Sequence, residues 1–261
     1  MVDTHAHLQD PKLQNVEEIV NGAQLAGVNK IVCASCDLET SKTAVEFANA
    51  FRGVYATIGY HPHEAKGFDE SSINQLKELA QNKKVVAIGE IGLDYFYMFS
   101  SKECQKEVFL KQIDLANELK LPIVVHSREE TADTLEILRN NRQKLQHGVC
   151  IHCFNMSLEI LREITSYGFY ISIGGIVTFK NANNILQVAK ECPSDKFMLE
   201  TDTPYLTPVP FRSKTNEPKY VVNTAQKIAE IRGLTLEEVD ELTTQNANRF
   251  FGLGDKKDER N

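Results

Sequence analysis

Eight short, largely apolar runs alternate with longer segments of helical periodicity along most of the chain. The runs cover residues 2–8, 30–35, 54–60, 84–90, 122–127, 148–153, 169–174 and 197–202. Most of them are apolar throughout, a pattern that is typical of parallel strands covered on both faces. The order of the elements therefore predicts an α/β fold built on a parallel sheet.

The segments between and after these runs predict nine helices. They cover residues 16–26, 41–51, 71–81, 104–119, 131–142, 157–166, 181–192, 221–232 and 236–251. Thr235 and Glu238 form the pattern of a capping box at the start of the last helix. Eight strand–helix units predict a closed (β/α)8 TIM barrel with an extra C-terminal helix. The alternative is an open, doubly wound sheet, but no Gly-x-Gly-x-x-Gly follows the first run.

The chain shows no linker that would divide it. Residues 1–254 are therefore expected to form a single barrel domain, and residues 255–261 a charged, frayed tail. No apolar run approaches the ~18 residues of a membrane span, and polar residues such as Asp3 and His5 interrupt any signal peptide. The expected location is cytoplasmic, with no membrane association and with the six cysteines reduced.

Metal-capable side chains stand at the C-terminal ends of five of the eight runs. They are His5, His7, Glu90, His126, His152 and Asp202. In a TIM barrel such positions converge at the mouth, where active sites lie. A single histidine or carboxylate at a strand end is usually a packed or capping residue. Four of the chain's seven histidines lie at these points, and this concentration favours a metal site.

The ligand set also indicates which cations would bind. Neutral imidazoles and carboxylates suit borderline cations such as Zn²⁺ and Mn²⁺, and Mg²⁺ less well. Six ligands exceed the roughly three of a mononuclear catalytic zinc site. We therefore predict two divalent metal cations (Mg, Mn or Zn) that share a carboxylate and activate water.

The cysteines offer a competing metal site. Cys33 and Cys36 form one pair with zinc-like spacing, and Cys150 and Cys153 form another. The pairs are too far apart in sequence for a zinc ribbon, and residues three apart in a strand point to opposite faces. Small buried hydrophobic side chains are the better interpretation.

Three further residues are candidates for substrate binding. His63 lies in a loop after the third run, and Arg128 follows His126 by two residues. Arg212 follows the eighth run, where barrels commonly bind phosphate, and its guanidinium offers paired phosphate contacts. The alternatives are an ordinary rigid loop for His63, an ion pair with Glu129 or Glu130 for Arg128, and a solvated surface side chain for Arg212. Asp94 and Tyr95 are expected to order the loop after Glu90.

The net charge of −7 argues against nucleic-acid binding along a broad basic surface. It leaves room for a locally positive pocket, because two divalent cations outweigh the charges of Glu90 and Asp202. The sequence contains neither a phosphate-binding Gly-x-x-x-x-Gly-Lys-[Ser/Thr] loop nor a Gly-x-Ser-x-Gly nucleophile elbow.

Several ordered motifs resemble the signatures of TatD-type metal-dependent deoxyribonucleases, which have an amidohydrolase-like barrel. They lie at residues 3–8, 59–63, 89–95, 125–128, 151–154, 199–205 and 212–218. The resemblance runs from residue 1 to about residue 253. Ser213 stands where the family usually has glycine, and Asn155-Met156 replaces its usual Ser-Gly, so the substrate rim departs from the family pattern.

The resemblance implies a division of the ligands between two metals. His5, His7, Glu90 and Asp202 would hold one cation, and Glu90, His126 and His152 the other, with Glu90 as the bridge. The implied activity is metal-dependent DNA hydrolysis, often from the 3′ end. Related proteins remove D-amino acids from tRNA.

The leading hypothesis is a divalent-metal-dependent deoxyribonuclease, similar to a 3′–5′ exonuclease, with Glu90 and Asp202 as catalytic residues. Asp202 would orient the attacking hydroxide and accept its proton. The expected substrates are DNA ends or short oligonucleotides, and no obligate protein partner is evident. Deacylation of D-aminoacyl-tRNA, or other ester or amide hydrolysis, is the alternative, because the same centre can polarise a carbonyl group. A non-catalytic binding protein would lack ligands, and none is missing here.

Overall fold

The computed structural model describes residues 1–253, and its centre is a sheet of eight parallel strands in sequential order. The strands are β1 Val2–Ala6, β2 Lys30–Cys33, β3 Val54–Ile58, β4 Val85–Asp94, β5 Ile123–Arg128, β6 Val149–Ile151, β7 Tyr170–Ile173 and β8 Phe197–Leu199. A parallel bridge between Ala6 and Thr203 joins the two edges. The TIM barrel predicted from the sequence is confirmed.

Helices connect consecutive strands and surround the barrel. They are α1 Val16–Leu25, α2 Leu38–Ala50, α3 Glu70–Leu79, α4 Lys102–Leu119, α5 Thr131–Asn140, α6 Leu158–Ser166, α7 Asn183–Glu191, α8 Val221–Arg232 and α9 Leu236–Phe251. The predicted capping box of α9 is present, since Thr235 Oγ1 accepts from the Glu238 N–H at 3.1 Å and Glu238 Oε2 accepts from the Thr235 N–H at 2.8 Å. None of the helices within residues 1–253 is both long and apolar enough to cross a membrane.

The barrel interior is apolar at the end that α9 covers. Every strand contributes to this layer, through Val2, Val32, Tyr55, Val86, Ala87, Val124, Cys150, Tyr170 and Met198. Ala247, Phe250 and Phe251 of α9 pack against the same layer, so the helix closes this end of the barrel. The opposite end, at the C-terminal ends of the strands, is not covered by α9.

Several element boundaries differ from the sequence-based prediction. The fourth run was expected to end at Glu90, but β4 continues to Asp94 because Ile91 to Asp94 pair with Val125 to Arg128 of β5. The eighth run was expected to reach Asp202, whereas β8 ends at Leu199. Helix α2 begins before the predicted residue 41, because Asp37 and Thr40 form a capping box. The predicted tail over residues 255–261 lies outside the described residues.

Candidate metal centre

The structure brings the six predicted ligands together at the C-terminal end of the barrel. His5 lies within β1 and His7 just after it, Glu90 lies within β4, and His126 within β5. His152 directly follows β6, and Asp202 lies three residues beyond β8. Their nearest ring nitrogens and carboxylate oxygens are separated by 2.7 to 4.0 Å.

Glu90 is the central side chain of this cluster. Its Oε1 lies 2.7 Å from His126 Nδ1 and 2.7 Å from His152 Nε2. Its Oε2 lies 3.3 Å from His5 Nε2 and 3.6 Å from His7 Nε2. Each carboxylate oxygen therefore faces one pair of imidazoles.

Asp202 completes the half of the cluster that contains His5 and His7. Its Oδ1 lies 3.5 Å from His7 Nε2 and 4.0 Å from His5 Nε2. Asp202 has a φ of 57°, a left-handed conformation that aspartate tolerates better than most residues. Its N–H donates to the His5 carbonyl at 2.9 Å, and the N–H of His7 donates to the Thr203 carbonyl at 2.8 Å. These bonds, between β1 and the segment after β8, hold the Asp202 carboxylate beside the two imidazoles.

The hydrogen bonds around the histidines show that the donor set fits a cation. His126 Nε2 faces Asp94 Oδ2 at 3.2 Å, and a carboxylate can only accept. A neutral His126 therefore carries its proton on Nε2 and turns the Nδ1 lone pair towards Glu90. His7 Nδ1 likewise faces the Ala34 carbonyl at 3.2 Å, so its Nε2 lone pair also points inward. Lone pairs facing a carboxylate at contact distance repel it unless a proton or a cation lies between them, and ring N–H groups bonded outward are typical of metal-ligating histidines.

Burial and neighbouring charges act in opposite directions on Glu90. Burial raises the pKa of this carboxyl, but the imidazoles around it, with His152 first among them, lower it by more, so the net pKa lies well below its ordinary value. Asp202 behaves in the same way: burial raises its pKa, and His7 brings the net value below the ordinary range. Both groups are therefore carboxylates at neutral pH.

His61 also touches the centre, and the sequence analysis did not place it among the ligands. Its Nδ1 accepts from the His63 N–H at 3.1 Å, so a neutral ring carries its proton on Nε2, which lies 3.5 Å from Glu90 Oε1. Burial lowers the pKa of His61 to about 4, so the ring is neutral. The ring therefore turns an N–H towards Glu90, and His61 forms one of the candidate ligand groups with Glu90 and His126. Its position immediately after the third apolar run was the signal available in the sequence.

Asp94 links the centre to the loop that follows β4. Its Oδ2 accepts from His126 and, at 2.9 Å, from His63 Nε2. Its Oδ1 accepts from the backbone N–H groups of Phe96 at 2.9 Å and Tyr97 at 3.1 Å. Burial raises the pKa of Asp94, but these bonds lower it by more, so the net pKa is below its ordinary value. The expectation that Asp94 orders this loop agrees with these contacts.

The cysteine pairs do not form a four-thiolate group. Cys33 packs between the barrel and its helices, whereas Cys150 lies in the apolar interior layer. Cys36 Sγ lies 3.8 Å from His7 Nδ1, and among residues 1–253 it is the one cysteine that belongs to a group of candidate ligands. No pattern in the sequence predicts this position of Cys36 beside His7.

The predicted substrate-binding residues lie around the barrel mouth. His63 bonds to Asp94, and the Arg128 guanidinium lies 4.0 Å from the centre of the Phe96 ring. The Arg212 guanidinium stacks on Phe179 at 3.8 Å and donates to the Thr207 carbonyl at 3.0 Å. These contacts orient the arginines, and their role in binding substrate stays a prediction.

Comparison with known proteins identifies the family. The family model described as TatD related DNase matches residues 2–252. The chain belongs to the TatD family. It is 44% identical to the uncharacterized metal-dependent hydrolase YabD of Bacillus subtilis over 254 residues, covering 97% of this chain and 99% of that protein. It is 35% identical to the uncharacterized metal-dependent hydrolase YcfH of Escherichia coli K12 over 97% of this chain and 96% of the relative.

A solved TatD-family structure has the same fold. The crystal structure of YjjV, a TatD homologue from Escherichia coli K12, superposes with a TM-score of 0.89 at 28% identity, covering 97% of this chain and 98% of that one. This TatD-family chain is a metal-dependent hydrolase, as the sequence predicted at that level.

Proposed function

We propose that this TatD-family hydrolase is a deoxyribonuclease that removes nucleotides from DNA ends, similar to a 3′–5′ exonuclease. The observation that carries the proposal is the position of Glu90, which turns one oxygen towards His5 and His7 and the other towards His126 and His152. That arrangement supports two divalent cations that share one carboxylate. A two-cation centre is suited to phosphodiester hydrolysis because it can neutralise both the attacking and the leaving oxygen.

The proposed ligands fall into two groups. His5, His7 and Asp202 would hold one cation, His126 and His152 the other, and Glu90 would contact both. The bound cations would supply an activated water and positive charge for the phosphate. The net charge of the whole chain is −7, so this local charge would supply the attraction for a phosphate.

Asp202 is the proposed proton acceptor. Its side chain is 16% exposed, whereas that of Glu90 is 3% exposed, so Asp202 has better access to solvent. Its lowered pKa keeps it deprotonated and ready to accept a proton from the attacking water. His63 and the arginines Arg128 and Arg212 are proposed to contact the phosphate backbone of the substrate.

A substrate panel tests the proposal. Chelator-stripped protein would be supplied with Mg²⁺, Mn²⁺ or Zn²⁺ and given a 5′-labelled single-stranded oligonucleotide. The same oligonucleotide with a blocked 3′ end and a D-aminoacyl-tRNA would be given in parallel, with an EDTA control. We expect a ladder that shortens from the free 3′ end, no shortening of the blocked strand and no reaction in EDTA. Release of the D-amino acid without cleavage of either oligonucleotide would overturn the proposal in favour of ester hydrolysis.

A further inference from the structure

An exposed cluster of large apolar side chains stands at the barrel mouth, directly after β4. Phe96, Tyr97 and Phe99 are 49%, 48% and 57% exposed, and Met98 between them is also exposed. Residues 96–99 thus supply four of the eight exposed large hydrophobic side chains within residues 1–253. A concentration of exposed aromatic surface at one loop is characteristic of a binding site.

The aromatic rings have the arrangement of a stacking surface. The rings of Tyr97 and Phe99 are nearly parallel, with an interplanar angle of 6° and centroids 5.5 Å apart. The His63 ring is nearly perpendicular to both of them, and its centroid lies 5.4 Å from that of Tyr97 and 4.9 Å from that of Phe99. Phe96 lies perpendicular to Tyr97 at 4.7 Å. We call Phe96, Tyr97 and Phe99 the aromatic platform.

The platform is fixed to the candidate metal centre. Asp94 accepts the backbone N–H groups of Phe96 and Tyr97 through one carboxylate oxygen and faces His126 through the other. One side chain, Asp94, therefore joins the platform to a proposed metal ligand. A group stacked on the platform would lie beside a phosphate held at the centre.

A cation accompanies the aromatic rings. The exposed guanidinium of Arg128 lies 4.0 Å from the centre of Phe96 and 4.9 Å from that of Tyr97. Aromatic faces interleaved with arginine are the means by which proteins bind single-stranded nucleic acid, because the rings stack on unpaired bases while the cation contacts the backbone. The cation beside the rings complements a polyanion, and this favours nucleic acid over an uncharged apolar partner.

We infer that the aromatic platform and Arg128 form a subsite that stacks the unpaired base of the nucleotide next to the scissile phosphate. The inference rests on the proposed nuclease function and adds a base-binding site to it. Duplex DNA buries its base faces, so the platform selects an end whose last bases are unpaired. Stacking on such a platform strengthens substrate binding by about 5- to 150-fold per base.

The test compares an ordinary single-stranded oligonucleotide with one whose 3′-terminal nucleotides are abasic. We expect Y97A and F99A to raise KM for the ordinary strand by at least about fivefold with little change in kcat. The wild type should lose a similar factor on the abasic strand, and the variants should lose nothing further. Y97F keeps the ring and should match the wild type. L110A truncates an exposed apolar residue of α4 and is the matched control.

A binding measurement separates this inference from the nuclease proposal. Fluorescence anisotropy would follow labelled ordinary and abasic strands binding to the cation-loaded wild type, Y97A and F99A. Base-dependent binding that both variants lose supports the subsite, even if no strand is cleaved and the nuclease proposal fails. Cleavage of the ordinary strand with equal KM in the wild type, Y97A and F99A leaves the nuclease proposal standing and overturns the subsite. Equal binding of both strands to all three proteins also overturns it.

Discussion

Replacing Asp94 by asparagine tests the reasoning that outward hydrogen bonds set the proton positions of the metal-facing histidines. Oδ1 of Asp94 accepts two backbone N–H groups, and Oδ2 faces the Nε2 atoms of His126 and His63 at 3.2 and 2.9 Å. The side-chain oxygen of D94N can keep the two backbone bonds. Its NH₂ group would then face both imidazoles and would need a lone pair on their Nε2 atoms.

This substitution moves the proton of His126 to the wrong nitrogen. With Nε2 acting as an acceptor, neutral His126 carries its proton on Nδ1, 2.7 Å from Glu90 Oε1. Nδ1 can then no longer bind a cation. Loss of such an outer partner typically weakens metal affinity about 10- to 100-fold, which is about 1.4 to 2.7 kcal/mol. The effect should fall on the cation that His126 and His152 hold, because the bond of His7 to the Ala34 carbonyl is unchanged.

Calorimetric titration of stripped protein with Zn²⁺ or Mn²⁺ measures this effect. We expect two classes of site in the wild type and a weakened affinity of one class in D94N. D133N is the matched control, because Asp133 also pairs with polar side chains, Tyr95 and Lys106, but lies outside the candidate ligands. Unchanged affinity of both classes in folded D94N would refute the proton-position argument. Equal weakening of both classes would refute its restriction to His126.

Three further predictions address catalysis, metal removal and the closed end of the barrel. D202N should abolish hydrolysis with its thermal midpoint retained, and unchanged turnover in metal-replete D202N would exclude its role as proton acceptor. Cations at 100 times their Kd should raise the free energy of unfolding by about 2.7 kcal/mol for each cation bound, because they bind the folded centre; a thermal midpoint insensitive to EDTA would contradict this. F250A should cost about 3 to 5 kcal/mol in urea unfolding, because Phe250 packs on Tyr170 inside the barrel. Its folded fraction should keep full activity, and wild-type stability would show that α9 does not brace the barrel.

The sequence predicts the barrel well because each strand is buried on both faces. Continuous apolar runs mark most of the strands, and the bounds of α9 agree with the prediction, since the capping box at Thr235 is a local start signal. The extension of β4 to Asp94 could not be predicted in the same way. Its last residues gain strand structure from pairing with β5, a non-local contact that leaves no periodic signal in the segment itself.

The sequence predicts those residues of the candidate site that strand periodicity places, but not those that loop contacts place. The positions of His126 and His152 at strand ends follow from residue parity along β5 and β6. The role of His61 depends on the backbone N–H of His63 reaching its Nδ1, which is a property of the folded loop. Cys36 approaches His7 only because the loops after β1 and β2 meet.

In β6 and β8 a two-residue period connects the apolar interior with the side chains at the metal centre. Cys150 belongs to the apolar interior layer, and His152, two residues later, faces Glu90. After Met198 in the same layer come Glu200, buried beside His152, and then Asp202. Residues two apart point to the same side, so a slip of one position in β8 would replace this series by its outward-facing neighbours. The apolar layer that packs on α9 therefore shares the alignment of β6 and β8 with His152 and Glu200, whereas a register shift in β1 separates Val2 from His5.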